Sequence, residues 1–157
     1  MSELVEQVPT PEPVTEARVD APLLREAAVT MAERLYDGYR FGDWEPLAAI
    51  LHPYGRFTPL ADPGDRILGY DDLLAFVAGR HGTGLGTGEV QLTPLADDAV
   101  LCVAHPRWRD RVRRLTPSAR AAIVTVKDGL LFRERAFASA PDAYRAYLQH
   151  GLELGLQ

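Results

Sequence analysis

The stretch LLFRERAF, residues 130–137, sets one carboxylate among alternating apolar side chains. Read as a strand, its period of two places Leu130, Phe132, Glu134 and Ala136 on one face and Leu131, Arg133, Arg135 and Phe137 on the other. Two arginines suit an outer surface, so Glu134 is expected to point inward. A carboxyl enclosed by apolar neighbours has its pKa raised and can act as general acid or base near neutrality. Its partners depend on how the preceding strand returns through Lys127, Asp128 and Gly129. A two-residue Asp-Gly loop sets Glu134 opposite Ile123. A three-residue loop with a glycine bulge sets it opposite Ala122, with Arg120 on the diagonal. Arg120 could then form a structural ion pair with Glu134, or bind an anionic or carbonyl oxygen.

Other groups able to do chemistry are more scattered. His105 lies in VAHPRW, where Val100, Cys102, Ala104, Pro106 and Trp108 form an apolar series. His105 therefore points outward, as a surface or interface histidine, unless Pro106 makes a bulge that turns it into a candidate base. His52 belongs at a helix end, and His81 and His150 fall in loops. No H-x-x-x-H or H-x-E spacing occurs, so no metal site is expected. Cys102, the single cysteine, sits in an apolar run and reads as a buried structural thiol. Glycines at 82, 84, 86 and 88 follow a helix, lack the Gly-Lys-Ser/Thr ending and miss the G-x-G-x-x-G spacing; they read as a connector. Arg107, Arg109, Arg111, Arg113 and Arg114 form the basic run, expected as a solvated hairpin arm or a dimer contact rather than an anion patch.

These groups need a scaffold, and hydrophobic periodicity supplies one. From Leu23 to Phe41, Leu24, Ala28, Met31, Leu35 and Tyr39 recur at spacings of three and four, predicting an amphipathic helix. YRFGDWEPLAAILHP (39–53) then ends that helix at Gly42 and starts another, over roughly 44–52, behind a possible Asp43 cap. A short strand is predicted over 56–61, a turn at 62–65, a possible return strand at RILG and a helix over 70–80. Four strands follow in EVQLTPL, AVLCVAHPRWR, SARAAIVTVK and LLFRERAFA, with turns at LADDA and KDGL and a closing helix over 141–150. Helices come first and the sheet after, which is an α+β domain with helices on one sheet face.

The 157 residues, 46% hydrophobic and 25% charged, fit one soluble domain. Of the net charge of −5, residues 1–22 hold −4, through Glu3, Glu6, Glu12, Glu16 and Asp20 against Arg18. Residues 1–21 are therefore expected as a disordered acidic Pro-rich tail, 22–150 as the domain and 151–157 as a frayed terminus. The nearly neutral body does not suggest nucleic acid. No bilayer-length apolar stretch and no signal-peptide pattern occurs, so a cytoplasmic protein without membrane contact is expected.

The order of elements, with GDWEPLAAILHPYGRFTP and the closing hairpin DGLLFRERAF, resembles the nuclear transport factor 2-like superfamily, especially its SnoaL-like branch, close in fold to ketosteroid isomerase. The resemblance covers about residues 22–140. It implies a cystatin-like cone: a curved antiparallel sheet wrapped around the long N-terminal helix, open at one end, commonly dimeric through the outer sheet face. Counted from Gly42-Asp43, the isomerase tyrosine falls on Leu35 and its base on Pro59, and the second aspartate falls near Ala122. Those groups cannot do carbonyl isomerisation by the usual route. The epoxide-hydrolase arrangement Asp-Arg-Asp is met only in part by RWRD (107–110), since no aspartate occupies the final strand. The resemblance favours the hairpin register with Ala122 opposite Glu134.

What the resemblance implies for function is an apolar pocket, possessed of no cofactor. Met31, Leu35, Trp44, Phe57 and Phe76 would line it from the helices and first strand, and Ala122, Val124, Phe132 and Trp108 from the sheet. The expected activity is that of an isomerase, cyclase or lyase on a hydrophobic carbonyl-bearing metabolite. Glu134 is the acid or base, Arg120 steers an oxygen, Tyr39 offers a hydroxyl, and His105 is the further candidate. The alternative is a non-catalytic small-molecule-binding or dimerisation module on the same fold.

Overall fold

The computed structural model describes residues 12–60, 66–79, 89–105 and 120–150. Helix α1 (Glu12–Phe41) is followed by α2 (Trp44–Ala48), β1 (Leu51–Phe57), α3 (Tyr70–Ala78), β2 (Glu89–Ala96), β3 (Ala99–His105), β4 (Arg120–Lys127), β5 (Leu130–Phe137) and α4 (Ala140–His150). The order is the α+β order expected. The sheet runs β1-β5-β4-β3-β2, and a single apolar core lies between its inner face and α1.

α1 begins eleven residues ahead of Leu23, at Glu12. The backbone of residues 12–21 is thus helical where a structureless tail was expected, and Pro22 lies inside the helix. Residues 1–11 and 151–157, and the sequence expectations for them, lie outside the described residues. The helix buries Ala28, Ala32, Leu35, Tyr36 and Tyr39, a stripe at helical spacing. Leu24, expected on that stripe, is exposed instead.

The break after α1 forms as its residues dictate. Gly42 takes φ +76° and its N–H donates to the Gly38 carbonyl at 2.8 Å, closing the helix in the left-handed conformation that glycine adopts freely. Asp43 holds the N-cap position of α2, yet its side chain makes no capping hydrogen bond. α2 is shorter than expected, and β1 starts at Leu51 rather than at residue 56. Pro53 is tolerated there because β1 is an edge strand, where a missing N–H leaves no ladder bond broken. RILG contributes one bridge, Leu68 with Phe57, and no full strand.

β1 runs parallel to β5, while β2–β3, β3–β4 and β4–β5 are antiparallel. The sheet is therefore mixed and mostly antiparallel rather than wholly antiparallel, an arrangement in keeping with the cone that the resemblance implies. On its outer face α4 packs Ala143 against Ala121 and Ile123, so this face already carries a helix of its own chain. The glycine run 82–88, the turn at 62–65 and the arginine run 107–114 lie outside the described residues.

The β4–β5 hairpin decides where Glu134 goes. Asp128 (φ +55°) and Gly129 (φ +75°) form a two-residue loop, with Lys127 opposite Leu130. The register then slips: Val126 pairs with Leu131, but Thr125 pairs with Arg133 and Val124 with Glu134. Phe132 is the extra residue, a β-bulge. Glu134 thus lies opposite Val124, not Ile123 or Ala122, and Ala122 faces Ala136. Simple alternation put Phe132 and Glu134 on one face; the bulge separates them, turning Leu131 inward with Glu134.

Candidate functional site

Glu134 points inward, as its apolar neighbours on β5 predict, and is only 2% exposed. Its bulged strand carries the carboxyl under α1, where Tyr36 and Tyr39 stand three residues apart on one face of the helix. The Tyr36 hydroxyl donates to Oε2 at 2.7 Å and the Tyr39 hydroxyl to Oε1 at 2.5 Å. The two rings meet edge to face at 5.6 Å, and Phe76 of α3 stands edge-on to Tyr39 at 6.1 Å. Both phenols are thereby held by packing as well as by the carboxyl.

The loop after β1 closes another side. The Leu60 amide hydrogen-bonds the Glu134 carboxyl, and the Leu60 carbonyl accepts Nη1 of Arg120 at 3.2 Å. Thr58 N–H donates to the Glu134 carbonyl oxygen at 2.7 Å, fixing the strand to the loop. Arg120 sits at the start of β4 and not on the diagonal to Glu134, because of the shifted register. Its charge still acts on the carboxyl. Cys102 of β3, a buried free thiol, completes the cluster beside the Tyr36 hydroxyl.

Burial and hydrogen bonding oppose each other here. Removal from water pushes the Glu134 carboxyl up, to about 7, while the two tyrosine hydroxyls, the Leu60 amide and the Arg120 charge hold it down. Burial wins, because the carboxyl has lost nearly all its water. Burial also raises Tyr36 well above the ordinary phenol range, reinforced by Cys102, Glu134 and Tyr39. The Cys102 thiol is raised by the same burial, which leaves it a thiol and not a nucleophile. The arrangement can therefore deliver or accept one proton at Glu134 near neutral pH, with two phenols able to follow it.

Of the residues singled out from sequence, Glu134 and Tyr39 meet directly. Leu35, Phe57, Ala122 and Val124 belong to the surrounding core, and Phe76 packs against Tyr39. Three differ. Trp44 is 43% exposed on α2. Phe132 is carried by the bulge away from Glu134, its ring set between His52, Lys127 and Arg133. Met31 lies farther along α1, in a cleft of about 630 Å³ with Leu24, Ala28, Asp97, Val126 and Asp128. His105 pairs through its backbone with Glu89, its side chain lies outside the described residues, and so does Trp108. Tyr36 is the site residue the sequence reading missed. Its signal was the i, i+3 relation to Tyr39, hidden because Leu35 satisfied the apolar stripe at the neighbouring position. Among the described residues no three His, Cys, Asp or Glu side chains converge as metal ligands, and no helix is long and apolar enough to cross a membrane.

No family model and no curated protein matches the chain. Solved structures do. One is an LEH-like epoxide hydrolase from M. tuberculosis, 15% identical, with a TM-score of 0.49 over 83% of this chain and 91% of that one. Another is a protein from Sphaerobacter thermophilus, 18% identical, with a TM-score of 0.48 over 68% of this chain and 91% of that one.

Proposed function

We propose that Glu134 is the acid–base centre of a cofactor-independent isomerase, cyclase or lyase acting on a hydrophobic carbonyl-bearing metabolite. One observation carries the reading: a carboxyl sealed in an apolar core and gripped by Tyr36 and Tyr39, yet balanced close to neutrality. A structural carboxylate needs no such balance, whereas proton transfer at physiological pH does. In this reading the Glu134 carboxylate takes the proton from carbon while the Tyr36 hydroxyl polarises the carbonyl oxygen, and the carboxyl, now protonated, returns the proton at the product carbon. Tyr39 holds the oxygen of Glu134 that remains, and Arg120, seated on the Leu60 carbonyl, favours negative charge as it develops.

A second reading has its own support. Both oxygens of Glu134 already accept a hydrogen bond, as they would in a non-catalytic ligand-binding or dimerisation module with a satisfied buried polar group. In either case the partner is a small hydrophobic ligand. A homodimer through the outer sheet face would include α4 in its contact. The experiment is Glu134→Gln, assayed against a panel of hydrophobic ketones and enones for proton exchange at carbon by NMR. Loss of exchange by about 100-fold or more, the usual contribution of a general base, with an unchanged fold, supports the catalytic reading. Exchange that survives the substitution removes it and leaves the binding module.

A further inference from the structure

The Glu134 carboxyl is surrounded by donors. The Tyr36 and Tyr39 hydroxyls of α1 and the Leu60 amide after β1 all aim hydrogens at it, and the charge of Arg120 on β4 acts from farther off. A carboxylate only accepts, so it suits these donors. A protonated carboxyl carries one O–H and needs an acceptor of its own. Acid–base chemistry requires that second state, because a base that has taken a proton from carbon holds it until it is returned. A backbone amide nitrogen and a guanidinium offer no acceptor. A phenol does, provided its own hydrogen finds another place.

The sheet supplies that place beside Tyr36. Glu134 of β5 pairs with Val124 of β4, and Val124 pairs with Val100 of β3. Cys102 lies two residues along β3, opposite Ala122, and Val100, Cys102, Ala122 and Val124 all belong to the core beneath α1. Ala122 is the small residue in the row between Cys102 and β5, and the Tyr36 hydroxyl bridges the sulfur and the carboxyl. It lies 2.7 Å from Glu134 Oε2 and within hydrogen-bonding reach of the Cys102 sulfur. Cys102 Sγ in turn stands 3.7 Å from the Val100 carbonyl oxygen, to which its S–H donates. Tyr36, Val100, Cys102 and Glu134 are all buried, so the hydrogens of this chain are satisfied within it. Burial also raises the thiol far enough that it keeps its hydrogen.

We propose that Cys102 is a positioning residue of the acid–base site: its sulfur accepts the Tyr36 hydroxyl hydrogen when Glu134 is protonated, which frees the Tyr36 oxygen to accept the carboxyl hydrogen. Donation then runs from Glu134 to Tyr36, from Tyr36 to Cys102, and from Cys102 to the Val100 carbonyl. When Glu134 is ionised the first two links reverse: Tyr36 donates to Oε2, and the Cys102 S–H turns to the Tyr36 oxygen. Tyr36 and Cys102 keep their own hydrogens throughout. Each O–H or S–H only turns to a new acceptor, and the one proton gained or lost is that of Glu134. A single frame of heavy atoms thus serves both states of the base. Its use in turnover rests on the acid–base reading of Glu134, while the reversal itself occurs without substrate.

The test is infrared spectroscopy of the full chain from about pH 5 to about pH 9, on either side of the Glu134 value of about 7. Cys102 is the single cysteine, so the S–H stretch has one source. That band should shift with the same midpoint as the Glu134 carboxyl followed by carbon-13 NMR, and should stay fixed in Glu134→Gln and in Tyr36→Phe. A thiol that only fills space would keep one band position while Glu134 titrates. Cys102→Ala removes an acceptor that the protonated form alone uses, so the Glu134 midpoint should fall by about one pH unit, the equivalent of one buried hydrogen bond. Cys102→Ser, which keeps a donor and an acceptor, should return the midpoint close to that of the parent. Proton exchange at carbon that survives Glu134→Gln removes the catalytic reading and leaves these spectra as expected, so the two failures are told apart. The proposal is overturned by an S–H band that is constant while Glu134 titrates, by a Glu134 that does not titrate in this range, or by a midpoint that is unmoved or raised in Cys102→Ala.

Discussion

Glu134→Gln also isolates the cost of holding a charge in this core, and pH reads it. The carboxyl moves from an ordinary 4.5 to about 7 on folding. Below 4.5 both folded and unfolded chains carry the proton, and nothing is lost. Between 4.5 and 7 the unfolded chain gives up its proton while the folded chain keeps it, so the folded state binds more protons and stability falls as pH rises. Each pH unit of that window costs about 1.4 kcal/mol, and the whole of it roughly 3 kcal/mol. Above the folded pKa the loss is complete and the curve flattens. Gln carries no proton and lacks this dependence; its amide oxygen can accept one tyrosine hydroxyl and its NH₂ can donate to the other. The stability of the parent minus that of the variant should therefore drop by roughly 3 kcal/mol between about pH 4 and about pH 8, which is on the order of 6–12 °C in melting temperature for a chain of this size. Urea unfolding followed by far-UV circular dichroism at each pH gives the difference directly, and the other titrating groups cancel in it. A difference that stays flat, or that favours the parent as pH rises, would falsify the argument. It would mean that the tyrosines, the Leu60 amide and Arg120 outweigh burial and that Glu134 is an ordinary buried anion.

Two further consequences follow from the packing. Tyr39→Phe keeps the ring against Phe76 but removes the donor to Oε1, so the Glu134 carboxyl should titrate about one pH unit higher still, as followed by carbon-13 NMR of the labelled carboxyl; a midpoint that stays or falls would contradict the role given to the hydroxyl. Gly55→Ala would put a Cβ at 2.7 Å from the Phe57 ring and 3.0 Å from the Phe132 carbonyl oxygen, an overpacking that should cost about 1–3 kcal/mol in urea unfolding; an unchanged midpoint would show that β1 does not sit as close to β5 as described.

Much of the scaffold was legible because it rests on local rules. The Gly42 helix end and the inward direction of Glu134 follow from backbone conformation and strand alternation, each settled within a few residues, whereas the two-residue Asp-Gly loop is one of the two that the sequence allows and not the one that the resemblance favours. What was not legible depended on counting across a defect. A strand pattern of period two assumes one residue per position, and the bulge at Phe132 adds one that the apolar sequence LLF does not announce. That single residue moves Glu134 from Ile123 to Val124 and Phe132 off the face that Glu134 occupies, while the Ala122 register, with Arg120 on its diagonal, needs a three-residue loop that does not form. The start of β1 was hidden for a different reason: Pro53 argues against a strand except at an edge, and being an edge is a property of the whole sheet.

The same defect links the inner and outer features of the edge. Without a bulge, Leu131 and Glu134 would lie on opposite faces, and the carboxyl could reach α1 only by turning Leu131 out to solvent. With it, Leu131 and Glu134 both face the core, while Phe132 and Arg133 are left to the outer side. Closing the bulge by deleting Phe132 would restore strict alternation. Either Glu134 would then be expelled from under Tyr36 and Tyr39, or Leu131 from the core. The extra residue in β5 is thus what lets Leu131 and Glu134 both face the core, with Arg133 between them on the outer side.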